Sequence, residues 1–518
     1  MAEAIEKQRW TVTIILLWLF LVRLFDPSIV NSVQNWSAHQ KELYDDTLNS
    51  SVIVFYLFLP LLVLLADMKL GRLHTAILSA AAGALSSLIF LIFLIFSSKS
   101  YLVTAVLDPI TLVTRVLFEI SLLCLGADQL VEMSSNSDEM SSYVWWWSWC
   151  VHLSIMITSV ASCLSKNQGH FDTYIASAHF ILLVVIIIVT LKIKKWTIRY
   201  SYTKNPLKLI SGVLWFALKH KSPTSASALS YLNESKPPRI DLGKMKYGGP
   251  FFEKDVESVK TFLRLIPLVC IITMINFPFQ LIGRLSSENS VTIKHCLISG
   301  TYFIGNCVAI FGVPLYRFIL KPYCFKFLKL SMLKKIGIGI ALTVLGKLGY
   351  VIIDLYLSIP AYNDSNEALC LLQPDNFTNA VLTEHKMYVY LEITPKAVNA
   401  LGFLMINVGS FEFIFAQSPH PMRGLLIGLW FSAGSVYEIT GYLLVKPFKE
   451  LGESLVPSCE LYVLIMNFVF MFVSFVLFLV YSRKYRLHNN EETESECHQY
   501  SKSAHGYGSM SNSLAEDD

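Results

Sequence analysis

A chain of 518 residues that is 54% hydrophobic and 15% charged, with a mean hydropathy of +0.51, lies well below the roughly 25% charge of soluble domains. That composition excludes a soluble enzyme or scaffold and makes the lipid bilayer the first partner of an integral membrane protein. The net charge of +4 belongs to loops that set topology and offers no case for nucleic acid. No Cys-x-x-Cys pair, GxxxxGK[ST] loop or histidine cluster is present to hold a metal, cofactor or nucleotide, and nothing supports an enzyme.

Taken in chain order, the apolar runs predict membrane-spanning helices of roughly 20 residues at 11–30, 51–68, 74–97, 109–128, 143–165 and 173–192, then at 261–283, 294–319, 334–357, 388–416, 423–446 and 460–482. None alternates with the period of two that marks a barrel strand, so the expected fold is all-α with twelve spans. The first run contains Arg23 and Asp26 and is followed by no small-residue cleavage site, which makes it a retained helix rather than a signal peptide. The domains expected are an N-terminal six-helix half at 1–192, a basic cytoplasmic linker at 193–260, a C-terminal six-helix half at 261–482 and a polar, disordered cytoplasmic tail at 483–518. Two halves of six helices is an arrangement of transporters. Within the linker, Leu209 to Leu218 is apolar enough for an amphipathic helix on the inner surface, with a plain tether as the alternative.

Positive charge in short loops stays cytoplasmic. Lys7 and Arg9, Lys69 and Arg72, the run Arg317 to Lys335, and Arg483 to Arg486 all fall on one side, which places both termini in the cytoplasm. The glycosylation sequons at Asn35, Asn49, Asn363 and Asn376 fall on the opposite side, whereas Asn233 lies in the linker. Cys370 and Cys459 sit in outer loops, where they either form a disulfide or remain two thiols.

The remaining chemistry is carried by ionisable residues inside the bilayer, each costing roughly 2.5 to 3.5 kcal/mol on insertion scales. Arg23 and Asp26 share a face of span 1, as Arg115 and Glu119 do on span 4, so each pair either neutralises itself or meets a substrate. Lys347, Glu412 and Glu438 have no partner at helical spacing and require one from another helix or a water-filled cavity. A cavity lined by both signs suits a zwitterion. His152 and His179 lie singly in spans 5 and 6 and read as polar helix contacts.

Span 10 and its following loop, GSFEFIFAQSPHPMRGLLIGLW from Gly409, resemble the pattern GLEFxYxQAPxxMRS of the proton-coupled oligopeptide transporter family, within the major facilitator superfamily. LGADQLVEM from Leu125 is similar to that family's FGADQFDE, ADMKLGRLHTAIL from Ala66 to its ADxxLGRxxTI loop, and KYGGPFFEKDVESVKTFLR from Lys246 to its linker into span 7. VPLYR from Val313 and KKIGIGI from Lys334 also fit. Within the family the chain more nearly resembles the animal peptide/histidine branch, in solute carrier family 15, as a divergent member would.

The resemblance implies a bundle that binds di- or tripeptides, or histidine, at mid-membrane and moves them inward with protons. It implies that Glu412 meets the substrate amine beside Gln417 and Pro419, that Gln280 and Trp149 line the site, and that Asp67, Gly71 and Arg72 form a gating loop. The departures are equally specific. Span 1 should read ExxERFxYY, yet Leu19 and Val22 stand where glutamates are expected, and Asp26 where a tyrosine is. Glu119 replaces a lysine of span 4, and WWWSWCVHLS from Trp145 keeps only part of NWxYWxINxG. A rebuilt site would have Arg23 on the substrate carboxylate, Glu412 on the amine, and Asp26, Glu119 or Glu412 taking the proton; the coupling ion would be the proton, with no other cofactor. The alternatives are a non-transporting receptor or scaffold and a carrier of another zwitterion or amine. In the tail, Tyr507 to Met510 resembles a signal for sorting adaptors, which favours endosomal or lysosomal membranes over the plasma membrane.

Overall fold

The computed structural model describes residues 2–25, 38–96, 101–133, 137–164, 171–193, 205–221, 237–276, 301–324, 331–364, 391, 393–432 and 459–485. Among these the regular structure is helical apart from a single bridge between Lys244 and Phe251. The first six helices are α1 (Ala2–Leu24), α2 (Ala38–Lys69), α3 (Arg72–Phe96), α4 (Tyr101–Met133), α5 (Ser137–Leu164) and α6 (Phe171–Ile193). A linker helix, α7 (Pro206–Lys219), precedes α8 (Glu253–Asn276), α9 (Thr301–Leu315), α10 (Met332–Asp364), α11 (Ile393–Gln417), α12 (Arg423–Phe431) and α13 (Cys459–Lys484). Among the described residues, eight helices are long and apolar enough to cross a bilayer.

Several helices outrun their apolar runs. α2 begins at Ala38, not near Ser51, because AHQKELYDDTLNSS contains no proline or glycine to stop a helix once started. Asn49 and Asn363 therefore fall within α2 and α10, not in loops. α8 begins at Glu253, eight residues inside the stretch expected to be linker, with Glu253 and Asp255 favourably placed in its first turn. Asn35, Cys370 and Asn376 lie outside the described residues, and Cys459 opens α13.

Helices α10 and α11 form a close pair because glycines face each other across it. A Cβ on Gly339 would meet the Gly402 carbonyl oxygen at 2.8 Å, so small residues here let two backbones approach. α9 does the opposite and loosens. Pro314 cannot donate to the Ile310 carbonyl four residues back, and beyond it the chain widens into a π-helical segment, Tyr316–Cys324.

In the linker, α7 starts at an Asn205 cap whose side chain accepts from the Leu207 and Lys208 amides, and it packs on the short helical turn Arg239–Gly243 and on α8. Four charges pin this turn to α8. Lys260 donates to Asp241 at 2.9 Å and to Glu257 at 3.0 Å, and Lys244 reaches both carboxylates as well. Burial works to raise the Asp241 and Glu257 carboxyls, but hydrogen bonds and charge from the two lysines outweigh it and hold both below their ordinary values. For Lys244, burial works downward and is outweighed by the same carboxylates, so it is raised.

Lowered carboxyls stabilise the fold above their unfolded values and lose that contribution as pH falls through the folded ones; a raised lysine loses its contribution only as pH rises through its folded value. The clasp is therefore expected to hold at about pH 5, and to release only below about pH 4. Lys260→Met should loosen it by about 1 to 3 kcal/mol. Faster amide exchange over 239–251 in that variant is the expected result, and unchanged exchange would show that the clasp is inert.

Candidate functional site

The first six helices meet the later ones along two lines of contact: α5 against α9 and α11, and α2 with α4 against α12. Glu412 lies on the first of these lines, and Asp67 and Arg72 beside the second.

Glu412, on α11, is 3% exposed. Its Oε1 accepts from Ser141 Oγ at 2.5 Å and from the Trp145 indole at 3.1 Å, both on α5, while Oε2 accepts from Lys335 Nζ at 3.1 Å. Trp145 in turn stacks on Tyr316, with ring centroids 4.1 Å apart and planes inclined by 18°. The carboxylate is thus held from α5 on one side and from α10 on the other, the latter made possible by the glycine-lined α10–α11 pair. Sequence spacing could not show this partner, because Lys335 is 77 residues away.

Trp149, expected to line the site, donates to the Ile310 carbonyl at 3.1 Å, the oxygen that Pro314 leaves free. The tryptophan that touches Glu412 is Trp145, one helical turn earlier. Within the stretch WWWSWCVHLS the tryptophans at 145, 146, 147 and 149 are indistinguishable by type, and only helix rotation decides which one faces α11.

Glu119 is reached from another helix: Arg23 of α1 donates to Glu119 of α4, Nη2 to Oε2 at 2.8 Å, with Nε close to Oε1. Glu119 is 2% exposed, and a buried carboxylate needs such a partner. The substitution that puts an acid on α4 and the arginine on α1 thus complement each other. Asp26, Gln280 and Glu438 lie outside the described residues.

At the end of the bundle where α2 turns into α3, the loop of Asp67, Gly71 and Arg72 joins a larger charged cluster. Gly71 adopts φ 76°, a left-handed conformation that glycine tolerates, and this turns Arg72 inward. Arg72 lies 3.6 Å from Asp67 and bonds Asp128 of α4, whose other oxygen accepts from Arg423 Nη1 at 3.2 Å. Arg423 also donates to the Phe415 carbonyl at 3.3 Å. Gly424 allows the closure, since a Cβ there would run into the Asp67 carboxylate. Asp128 and Arg423 were visible in the motifs LGADQ and PHPMRG, but nothing local gave them a role.

His179 bonds Ser87 at 2.7 Å between α6 and α3, a helix contact as expected. Among the described residues no cluster of potential metal ligands occurs, and Cys124, Cys150, Cys270 and Cys307 are in no disulfide.

A model of the POT family matches residues 120–456, a stretch that includes Asp128, the α5 tryptophans, Lys335, Glu412 and Arg423. The chain belongs to the POT family. POT family members are transporters and not enzymes, and with its apolar helices this chain is a multi-pass membrane protein. It is 24% identical over 353 residues to Protein NRT1/PTR FAMILY 5.14 of Arabidopsis thaliana, and 23% identical over 359 residues to Protein NRT1/PTR FAMILY 5.13 of the same plant. Each match covers 62% of this chain and 60% of the relative, so the chain spans about three-fifths of the length of these relatives. Among solved structures, an auto-inhibited POT family peptide transporter aligns with a TM-score of 0.62 at 15% identity, over 93% of this chain and 98% of that one. The POT family transporter PepTSo aligns with a TM-score of 0.61 at 15% identity, over 92% and 98%. These likenesses establish the fold, that of the solved POT family transporters.

Proposed function

We propose that this POT family protein carries di- or tripeptides, or histidine, across a membrane with protons, by alternating access of two six-helix halves. Twelve crossings, a linker over 193–260 and both termini in the cytoplasm complete the proposal, in line with the basic loops. The end bearing Asp67, Arg72, Asp128 and Arg423 then faces the cytoplasm, and those contacts describe a state closed to it. Residence in endosomal or lysosomal membranes follows from the tail motif at Tyr507 to Met510.

The observation that carries the reading is Glu412, a buried carboxylate held jointly by α5 and α10 at the junction of the two groups of helices. An acid so placed can exchange an internal cation for a substrate ammonium, and it changes its partners when α5 moves away. In this reading Arg23 takes the substrate carboxylate once released from Glu119. Its present engagement describes the unloaded state.

A second reading is favoured by Lys335, which already occupies the position of a peptide amine and so points to another zwitterion, another amine, or a receptor without transport. Uptake into liposomes of labelled dipeptide and of labelled histidine, with and without an inward proton gradient, separates these. One pH unit supplies about 1.4 kcal/mol and should raise accumulation about tenfold. Binding without uptake of either compound would overturn the transport reading in favour of the receptor.

A further inference from the structure

The seam between α5 and α9 holds a group that the transport reading leaves unused. His152 Nδ1 lies 2.8 Å from Asn306 Oδ1, a hydrogen bond between one of the first six helices and one of the later ones. One turn along α5 in one direction is the Trp149 bond to Ile310, and one turn in the other Met156 Sδ lies 3.9 Å from Cys307 Sγ. The bond sits well along α5 from the charged gate. We propose that His152 is a proton-binding residue of this transporter and that its protonation tightens the α5–α9 seam through Asn306. The proposal rests on the transport reading only for its consequence, since the seam itself needs no substrate.

The chemistry follows from the donors and acceptors. An amide oxygen only accepts, so Nδ1 carries the hydrogen in the observed arrangement and Nε2 is the atom that takes the next proton. Asn306 is 4% exposed, and its Nδ2 meets no acceptor among the described residues. Against a neutral ring this amide can turn over and donate through Nδ2 instead, so the bond does not select one arrangement. An imidazolium donates from both nitrogens and accepts nothing. It therefore fixes Oδ1 toward the ring with a charge-assisted bond roughly twice as strong as the neutral one. The proton comes from water and no other bond changes.

The surrounding charges permit this. From α1, Arg23 is near enough to act on the ring electrostatically. From α4, Glu119 pairs with Arg23 and cancels much of its charge, with Arg115 one turn before it on the same helix. From α9 comes the thiol of Cys307, on α5 itself lies Cys150, and from α11 Glu412 stands with Lys335 two turns away along α5, at Trp145. The imidazole is half-buried, and histidine is the side chain type whose charge change falls between pH 5 and 8 when unperturbed.

The test uses full-length protein carrying Met156→Cys in liposomes, with the native Cys307 as the second thiol. Oxidative cross-linking of positions 156 and 307 is followed by mass spectrometry at about pH 7.5 and about pH 5.5, in the parent and in a His152→Gln background. The ratio of the two backgrounds removes the pH dependence of thiol chemistry itself. That ratio is expected to rise about fivefold on acidification, and Asn306→Leu, with His152 in place, should abolish the rise. A ratio that stays flat, or a rise that survives Asn306→Leu, overturns the proposal; if His152→Gln does not fold, Asn306→Leu against the parent makes the same comparison. Failure of peptide uptake would sink the transport reading while leaving this measurement intact.

Discussion

Replacing Asp128 by asparagine is expected to open the gate at the α2–α3 end. Asp128 accepts from Arg72 and from Arg423, and both guanidiniums are at least nine-tenths buried, at 5% and 4% exposed. Removing the carboxylate leaves two buried cations with Asp67 as their nearest acid, 3.6 Å from Arg72. Breaking a buried pair by deleting one partner costs about 3 to 5 kcal/mol. If the cluster exists only in the closed state, that cost falls on the closed state alone and the closed-to-open ratio drops by about a hundredfold or more. Spin-label distances between α2 and α12 report the ratio, and thermal unfolding reports stability. A lower melting temperature with an unchanged distance distribution would show the cluster to be structural and not a gate. Asp128→Glu, which keeps the charge, should give a milder version of the same shift.

Glu412→Gln is expected to have two separable effects. It removes the acceptor for a substrate amine, and loss of a hydrogen bond to a charged group, about 1.5 to 3 kcal/mol, weakens binding by about ten- to a hundredfold. It also strands Lys335, whose side chain is 18% exposed, so stability should fall by about 3 kcal/mol, at the lower end for a partly reached site. The double variant Glu412→Gln/Lys335→Met should recover the stability and not the binding. Lys335→Met alone should destabilise the empty protein while tightening amine-bearing ligands, because the internal competitor is gone. Thermal shift with and without a dipeptide measures all of these. Parental dipeptide affinity in Glu412→Gln would place the amine site elsewhere, and unchanged affinity in Lys335→Met would remove the competitor from the account.

Much of the helical layout was legible in the chain because apolar length is a local property. The runs from 74 to 97 and from 173 to 192 differ from α3 and α6 by two residues or fewer at any end. Boundaries failed where polarity and helicity part company, as in the first turns of α2 and α8. For the site, Glu412 and the Asp67–Gly71–Arg72 loop stood out because an acid in an apolar run, and a glycine between charged residues, are visible without a fold. Their partners were not. Lys335, Ser141, Trp145, Asp128 and Arg423 carry no local mark that separates them from other polar residues at helix ends.

Composition and apolar periodicity by themselves determined that this chain is a helical membrane protein, and its motifs carried the likeness to the POT family, because burial in lipid and a few sharp turns are encoded residue by residue. Which charges meet was decided only by tertiary structure. Helix rotation put Trp145 on Glu412, the glycine-lined approach of α10 to α11 brought Lys335 onto it, and the packing of α1 on α4 brought Arg23 to Glu119. Pairing between helices depends on rotation and depth together, neither of which any single stretch of sequence specifies.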